Sequence, residues 1–139
     1  MNDDLERLQR AWQNLLESDN GIPEERMLEP GVIGEWSVKD VLTHVAYWDD
    51  DLLAAIERFV SGTPEPEERD WQAENDRVYA ERRDWPLADV RRDLLDTHDR
   101  VLTALRNAPG FDTAALRESW EHYDEHAAEI RAWRERHGI

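Results

Sequence analysis

Five histidines, His44, His98, His122, His126 and His137, are the side chains of this 139-residue chain best suited to chemistry, because an apolar core has no need of an imidazole. At about 100° per residue, His126 falls between Ile130 and Trp133, inside the apolar arc of a helix, and His122 lies one turn earlier, nearer its edge. A spacing of four puts both rings on one side, as a two-histidine metal grip requires. His44 stands at the margin of a second helical stripe, one turn before Trp48. Three neutral imidazoles from two helices could hold one divalent ion and leave a fourth position open. The same pattern also suits half-buried histidines that hydrogen-bond to helix neighbours. His98 lands in the middle of a third stripe with no histidine four residues away. It reads either as a satisfied core histidine or as a fourth ligand or pocket residue. His137, next to Gly138, reads as a cation favoured by the dipole at a helix C-terminus.

Several other chemistries drop out. His122-Tyr123-Asp124-Glu125-His126 spells H-x-x-E-H, the inverted zinc-protease string. Such enzymes need a further acidic ligand, a strand to hold substrate and a far larger scaffold. The ordinary H-E-x-x-H fails because Tyr123 stands where the glutamate belongs. No histidine has a glutamate three residues before it, so the Glu-x-x-His pattern of di-iron bundles is missing. Ser18, Ser37, Ser61 and Ser119 are the only serines, and none sits in a nucleophile elbow. With no cysteine, disulfides, thiolate zinc sites and thiol nucleophiles are excluded.

The elements that must carry the histidines are helical. Alternating Val/Ile/Thr runs are missing and the 3.6-residue period is everywhere. Residues 2–18 place Leu5, Leu8, Trp12, Leu15 and Leu16 on one face; Asn20-Gly21 and Pro23 end that helix. Residues 21–36 read as a loop with a short turn of helix. Ser37 is an N-cap with Asp40 at N3, a capping box, and Trp36 can staple onto Val41. The stripe Val38, Val41, Leu42, Val45, Trp48, Leu52, Ile56 and Phe59 follows, closed by Gly62. Residues 67–84 are highly charged, with Trp71, Val78 and Tyr79 as sparse apolar points, and read as a lesser helix in a crossover. Pro86 opens the next helix at N1, with Leu87, Val90, Leu94, Val101 and Leu105 as its stripe. After a turn at Asn107 to Gly110, Asp112 caps the last helix, whose stripe is Leu116, Trp120, Tyr123, Ala127, Ile130 and Trp133 and which Gly138 ends. The prediction is one domain over residues 1–139: an all-α four-helix bundle with an extra short helix in the crossover between core helices two and three.

Composition bounds what such a bundle meets. A formal charge of −16 repels phosphate backbones and anionic lipid, so neither nucleic acid nor membrane is an expected partner. No stretch approaches the ~20 apolar residues of a membrane span. The acidic start Met1-Asn2-Asp3-Asp4 is unlike a secretory leader, so a cytoplasmic location is expected. Seven tryptophans read mostly as core or core rim, with one or two lining a pocket. Tyr47, Trp48 and Trp120 are the candidates for that lining, with a core role favoured for Trp120. Asp40, one turn before His44, could orient that histidine, although its capping role explains it as well.

Two segments carry a family resemblance. Trp36-Ser37-Val38-Lys39-Asp40-Val41-Leu42-Thr43-His44-Val45-Ala46-Tyr47-Trp48 resembles the second-helix signature of the DinB-like (YfiT-like) metalloenzymes, and His122-Tyr123-Asp124-Glu125-His126 resembles their H-x-x-x-H helix. Order and spacing agree over essentially the whole chain. The resemblance implies a four-helix bundle holding a divalent ion, zinc or nickel, on His44, His122 and His126. Some members are thiol-dependent transferases or isomerases that use mycothiol or bacillithiol, and the expectation for this chain is a small metal-dependent transferase or hydrolase acting on a small molecule or electrophile, with a low-molecular-weight thiol as a candidate cofactor. The Trp-Ser-Val-Lys-Asp and His-Tyr-x-x-His versions resemble a branch that includes a colibactin-resistance protein. Glu125, Ala127 and Glu129 flank the histidine pair where several relatives carry extra histidines. The alternatives are a stress protein that sequesters a small molecule in a bundle pocket without turnover, and an interaction module; a homodimer is compatible with either.

Overall fold

A computed structural model describes residues 2–139 and is helical, with no strand among the described residues beyond an isolated bridge between Ile33 and Trp36. The helices are α1 (Asn2–Ser18), α2 (Val38–Ser61), α3 (Trp71–Arg82), α4 (Leu87–Arg106) and α5 (Thr113–His137), with a single 3-10 turn at Glu24–Leu28. Their ends follow from local chemistry. Ser37 and Asp40 close the capping box: the Asp40 Oδ2 accepts from Ser37 N and Oγ, both at 2.9 Å, and the Asp40 N–H donates to Ser37 Oγ at 3.1 Å. Asp112 Oδ1 accepts from Ala114 N at 2.9 Å at the start of α5. Gly138, with φ 66°, ends α5 in the left-handed region that glycine enters without a steric penalty.

Two boundaries differ from the sequence reading. The charged segment 67–84 is helical only over Trp71–Arg82, because Asp70 Oδ1 takes the Ala73 N–H at 3.1 Å and so starts the helix there. Pro86 is the N-cap of α4 rather than its first helical residue. Its ψ of 143° is extended, while its carbonyl already accepts from Asp89 N and Val90 N.

The chain divides into two compact units. The first joins the chain up to Val41 with Asp112–Ile139, and its frame is α1 packed on α5. The stripe of α1, Leu8, Ala11, Trp12 and Leu15, is buried, as are Leu116, Tyr123, Ala127, Ile130 and Trp133 of α5. Trp12 meets Tyr123 edge-on with centroids 5.4 Å apart. Polar ties flank this seam: Arg7 to Asp124 at 2.6 Å, Asn14 to Asp124 at 2.9 Å, and Arg134 to the carbonyls of Ser18 and Asn20. Truncating a fully buried leucine of this stripe costs about 2–5 kcal/mol.

The second unit, Leu42–Phe111, contains the body of α2 with α3 and α4. Leu52, Ile56, Val90, Leu94, Val101 and Leu105 are buried, and Phe59 meets Phe111 at 5.5 Å although Phe59 itself is half exposed. The helix α3 buries only Val78. Polar and cation–aromatic contacts attach it instead. Arg69 lies over Trp71 at 4.6 Å and over Trp48 at 5.5 Å, and its guanidinium reaches Asp51 at 2.7 Å and Glu74 at 2.5 Å. The tryptophans are less internal than composition suggests. Trp12 and Trp133 are buried, whereas Trp71 is 54% exposed and Trp85 37%. Arginine guanidinium planes covering indole faces explain how those two stay at the surface: Arg69 over Trp71, and Arg82 over Trp85 at 4.7 Å.

Candidate metal centre

On α5 a spacing of one turn turns His122 and His126 toward each other. Their Nε2 atoms stand 2.8 Å apart, with ring centroids at 4.3 Å and planes at 76°. His126 is 6% exposed and His122 half-buried, and Tyr123, Ala127 and Ile130 of the same helix have no exposure at all. The Nδ1 of His126 lies 2.6 Å from Glu129 Oε1. Burial, reinforced by the neighbouring His126, pushes the His122 pKa down to about 3, so its ring is neutral at pH 7. Burial also raises the Glu129 carboxyl, and Glu125 adds to the effect.

On α2, His44 is half-buried and faces Trp48 at 6.5 Å, edge to face. Trp48 Nε1 donates to Asn75 Oδ1 at 2.8 Å and its ring meets that of Trp71 at 5.1 Å. The Tyr47 hydroxyl donates to Glu74 Oε1 at 2.8 Å and accepts from Arg77 at 3.2 Å. Burial and the Glu74 carboxylate hold the Tyr47 phenol above its usual pKa, so it keeps its proton. Tyr47 and Trp48 thus carry their polar atoms on α3, three and four residues past His44. Asp40 uses its carboxylate for the capping box.

Among the described residues, His44, His122 and His126 form a group able to hold a metal ion, each offering one ring nitrogen and all three nitrogens lying within 4.8 Å of one another. The donor set fits a divalent transition metal. Two nitrogens on a tetrahedral ion, each at about 2.0–2.1 Å, stand about 3.3–3.4 Å apart, so the His122–His126 pair, now at 2.8 Å, needs to open by about half an ångström. Three neutral imidazoles suit zinc, nickel, copper or iron, and three protein ligands leave a position open.

The other two histidines lie elsewhere. His98, 2% exposed, has its Nδ1 at 3.8 Å from Oδ2 of Asp49, itself 3% exposed, inside the second unit. That is the position of a buried core histidine with a carboxylate neighbour. His137 donates from Nδ1 to the Trp133 carbonyl at 2.8 Å and stacks on the Trp133 ring at 4.8 Å, a helix-terminal role. Sequence reasoning passed over Glu129 as a partner: three residues after His126 it is within reach on one helix, but Glu125 stands in the same relation to His122, so spacing alone does not single it out. Glu74, Asn75 and Arg69 carry no such signal, because their partners on α2 are distant in the chain.

The profile of the DinB superfamily matches residues 7–137. A crystal structure of an uncharacterised protein from Escherichia coli UTI89 superposes with a TM-score of 0.82 at 14% identity, over 99% of this chain and 94% of that one, which establishes a shared fold. No curated protein matches.

Proposed function

Starting from a chain that belongs to the DinB superfamily, we propose that it binds one divalent transition metal, zinc or nickel, through His44, His122 and His126 and acts as a small metal-dependent transferase or hydrolase on a small molecule or electrophile. The observation that carries the reading is the convergence of three ring nitrogens within 4.8 Å. An ion with an open position supplies Lewis acidity, lowering the pKa of a bound water or thiol so that it is nucleophilic near neutral pH. In the thiol-dependent form of this reading, a low-molecular-weight thiol is the second substrate, since the chain has no cysteine of its own.

The protein's own residues contribute placement and protons. His122 stays neutral far below pH 7, so its ring nitrogen competes little with protons for the ion. Trp48 presents an aromatic face one turn from His44, fixed by its bond to Asn75. Tyr47 holds a proton between Glu74 and Arg77. A strongly acidic chain suits a small-molecule partner and, on this reading, a cytoplasmic address; among the described residues no helix is long and apolar enough to cross a membrane. A second reading, sequestration without turnover, is favoured by one observation, the half-exposed Trp71 whose ring meets that of Trp48 at a tilt of 57°, beside His44.

The test is metal analysis by mass spectrometry of untagged protein prepared without a nickel column. About one equivalent of metal per chain is expected, lost in a His122→Ala/His126→Ala double variant and reduced in His44→Ala. Absence of metal after reconstitution with zinc and with nickel would overturn the metal reading and leave sequestration.

A further inference from the structure

We infer that Glu129 is the positioning residue of this centre: by accepting the Nδ1–H of His126 it fixes that tautomer and presents the Nε2 lone pair of His126 as the preset ligand. The inference rests on the metal reading above. Its geometry comes from one helix. His126 has two ring nitrogens, and both are engaged: Nδ1 at 2.6 Å from Glu129 Oε1, and Nε2 at 2.8 Å from His122 Nε2. A neutral imidazole carries one proton, on one nitrogen or the other. A carboxylate accepts and does not donate, so the His126 proton belongs on Nδ1. In the neutral ring its Nε2 is then the acceptor in the histidine pair and the His122 Nε2 the donor; a His126 protonated on both nitrogens would reverse that bond, and the tautomer spectrum below distinguishes the two.

This ordering makes the two histidines unequal. His126 needs no change of protonation to ligate through Nε2, because Glu129 has set its proton on the far side of the ring. His122 must surrender its Nε2 proton, or move it to Nδ1, before that nitrogen can bind an ion. A carboxylate on the remote nitrogen of a ligating histidine also raises the basicity of the ligating one, and loss of such a partner commonly weakens metal binding by about 10–100-fold. The assignment accounts for a partly buried carboxylate, with 31% of its side-chain surface exposed, held against a nearly buried ring, where a solvated glutamate would be expected on the outer face of α5.

The experiment reads the tautomer and the metal separately. Two-bond 1H–15N correlation spectra of the metal-free protein at neutral pH report which nitrogen of His126 carries the proton, with His126→Gln used for assignment. Competition titration with zinc then gives the dissociation constant of the wild type, Glu129→Gln and Glu129→Leu, with far-ultraviolet circular dichroism as the check on folding. The expected result is an Nδ1–H tautomer in the wild type. The Glu129→Gln variant, whose amide oxygen still accepts, keeps that tautomer and loses affinity modestly. The Glu129→Leu variant loses the tautomer preference and about 10–100-fold in affinity. A wild type with Nε2–H on His126, or zinc affinity equal in all three proteins, overturns the inference while leaving the metal reading intact. A wild type that binds no zinc overturns the metal reading and with it any ligand-presenting role for Glu129. Should the Glu129→Leu variant fail to fold, the tautomer spectrum of the wild type and the titration of Glu129→Gln decide alone.

Discussion

His122 has a stability consequence that needs no metal. Its folded pKa is pushed down to about 3, against about 6.5 for an exposed imidazole. Below about pH 6.5 the unfolded chain takes up a proton that the folded ring refuses, so the unfolded state gains and stability falls as pH drops toward 3. The melting temperature of the metal-free protein is expected to decline by several degrees between neutral pH and about pH 5, with a shallower decline in His122→Ala. Equal slopes in the two proteins would show that His122 is not the group responsible. At this scale the helical period made much of the site legible. His122 and His126 stand out because a spacing of four on an apolar face has few structural uses, and His44 because it precedes Trp48 on its own stripe. Glu129 was less visible, since a glutamate beside a histidine is indistinguishable from the solvated acids Glu121, Glu125 and Glu135 until burial is known. For Asp40 the cap that sequence offers as one of two readings is the one its hydrogen bonds form.

Among the elements, α3 is the odd member. It buries one residue, Val78, and is otherwise held by Arg69, Glu74, Tyr47 and Asn75. Hydrogen bonds to charged groups are worth about 1.5–3 kcal/mol each when shielded and less where solvent reaches them. The Arg69 guanidinium, with lesser help from Tyr47, holds the Glu74 carboxyl below its usual pKa. That contribution is complete above the ordinary carboxylate range and is lost as pH falls through the folded value. Glu74→Gln is therefore expected to speed amide hydrogen exchange in α3 and at Tyr47 and Trp48, while leaving α1 and α5 protected. Uniform acceleration, or none, would refute a local role for this network. The long helices are legible because their caps and stripes agree, as with Ser37 and Asp40 before α2 and Asp112 and Gly138 around α5. The limits of α3 are less legible because its anchors lie on α2, so the sequence reads 67–84 where the helix spans Trp71–Arg82.

For the molecule as a whole, a charge of −16 and a three-histidine centre point the same way. Self-repulsion weakens the compact state at low ionic strength, and a bound cation relieves it and stabilises the fold by mass action. Free zinc at about 100 times its dissociation constant should add about 2.7 kcal/mol, seen as a higher melting temperature that chelator reverses. No shift on adding zinc, at a salt concentration that screens the acidic surface, would count against specific binding. The distribution of indoles has a further consequence, and it is optical. Trp133 has no exposed surface, whereas Trp71 is 54% exposed on the helix held by Arg69 and Glu74. The chain therefore carries indoles at both extremes, with Trp36, Trp48 and Trp120 of intermediate burial between them; those in an apolar surround are expected to emit at the blue edge and those in water at the red edge. Acrylamide should quench the red edge first and leave the blue edge until the α1–α5 seam opens. Emission recorded at two wavelengths during one acid titration would separate the loosening of α3 from the loss of the core, with no added dye.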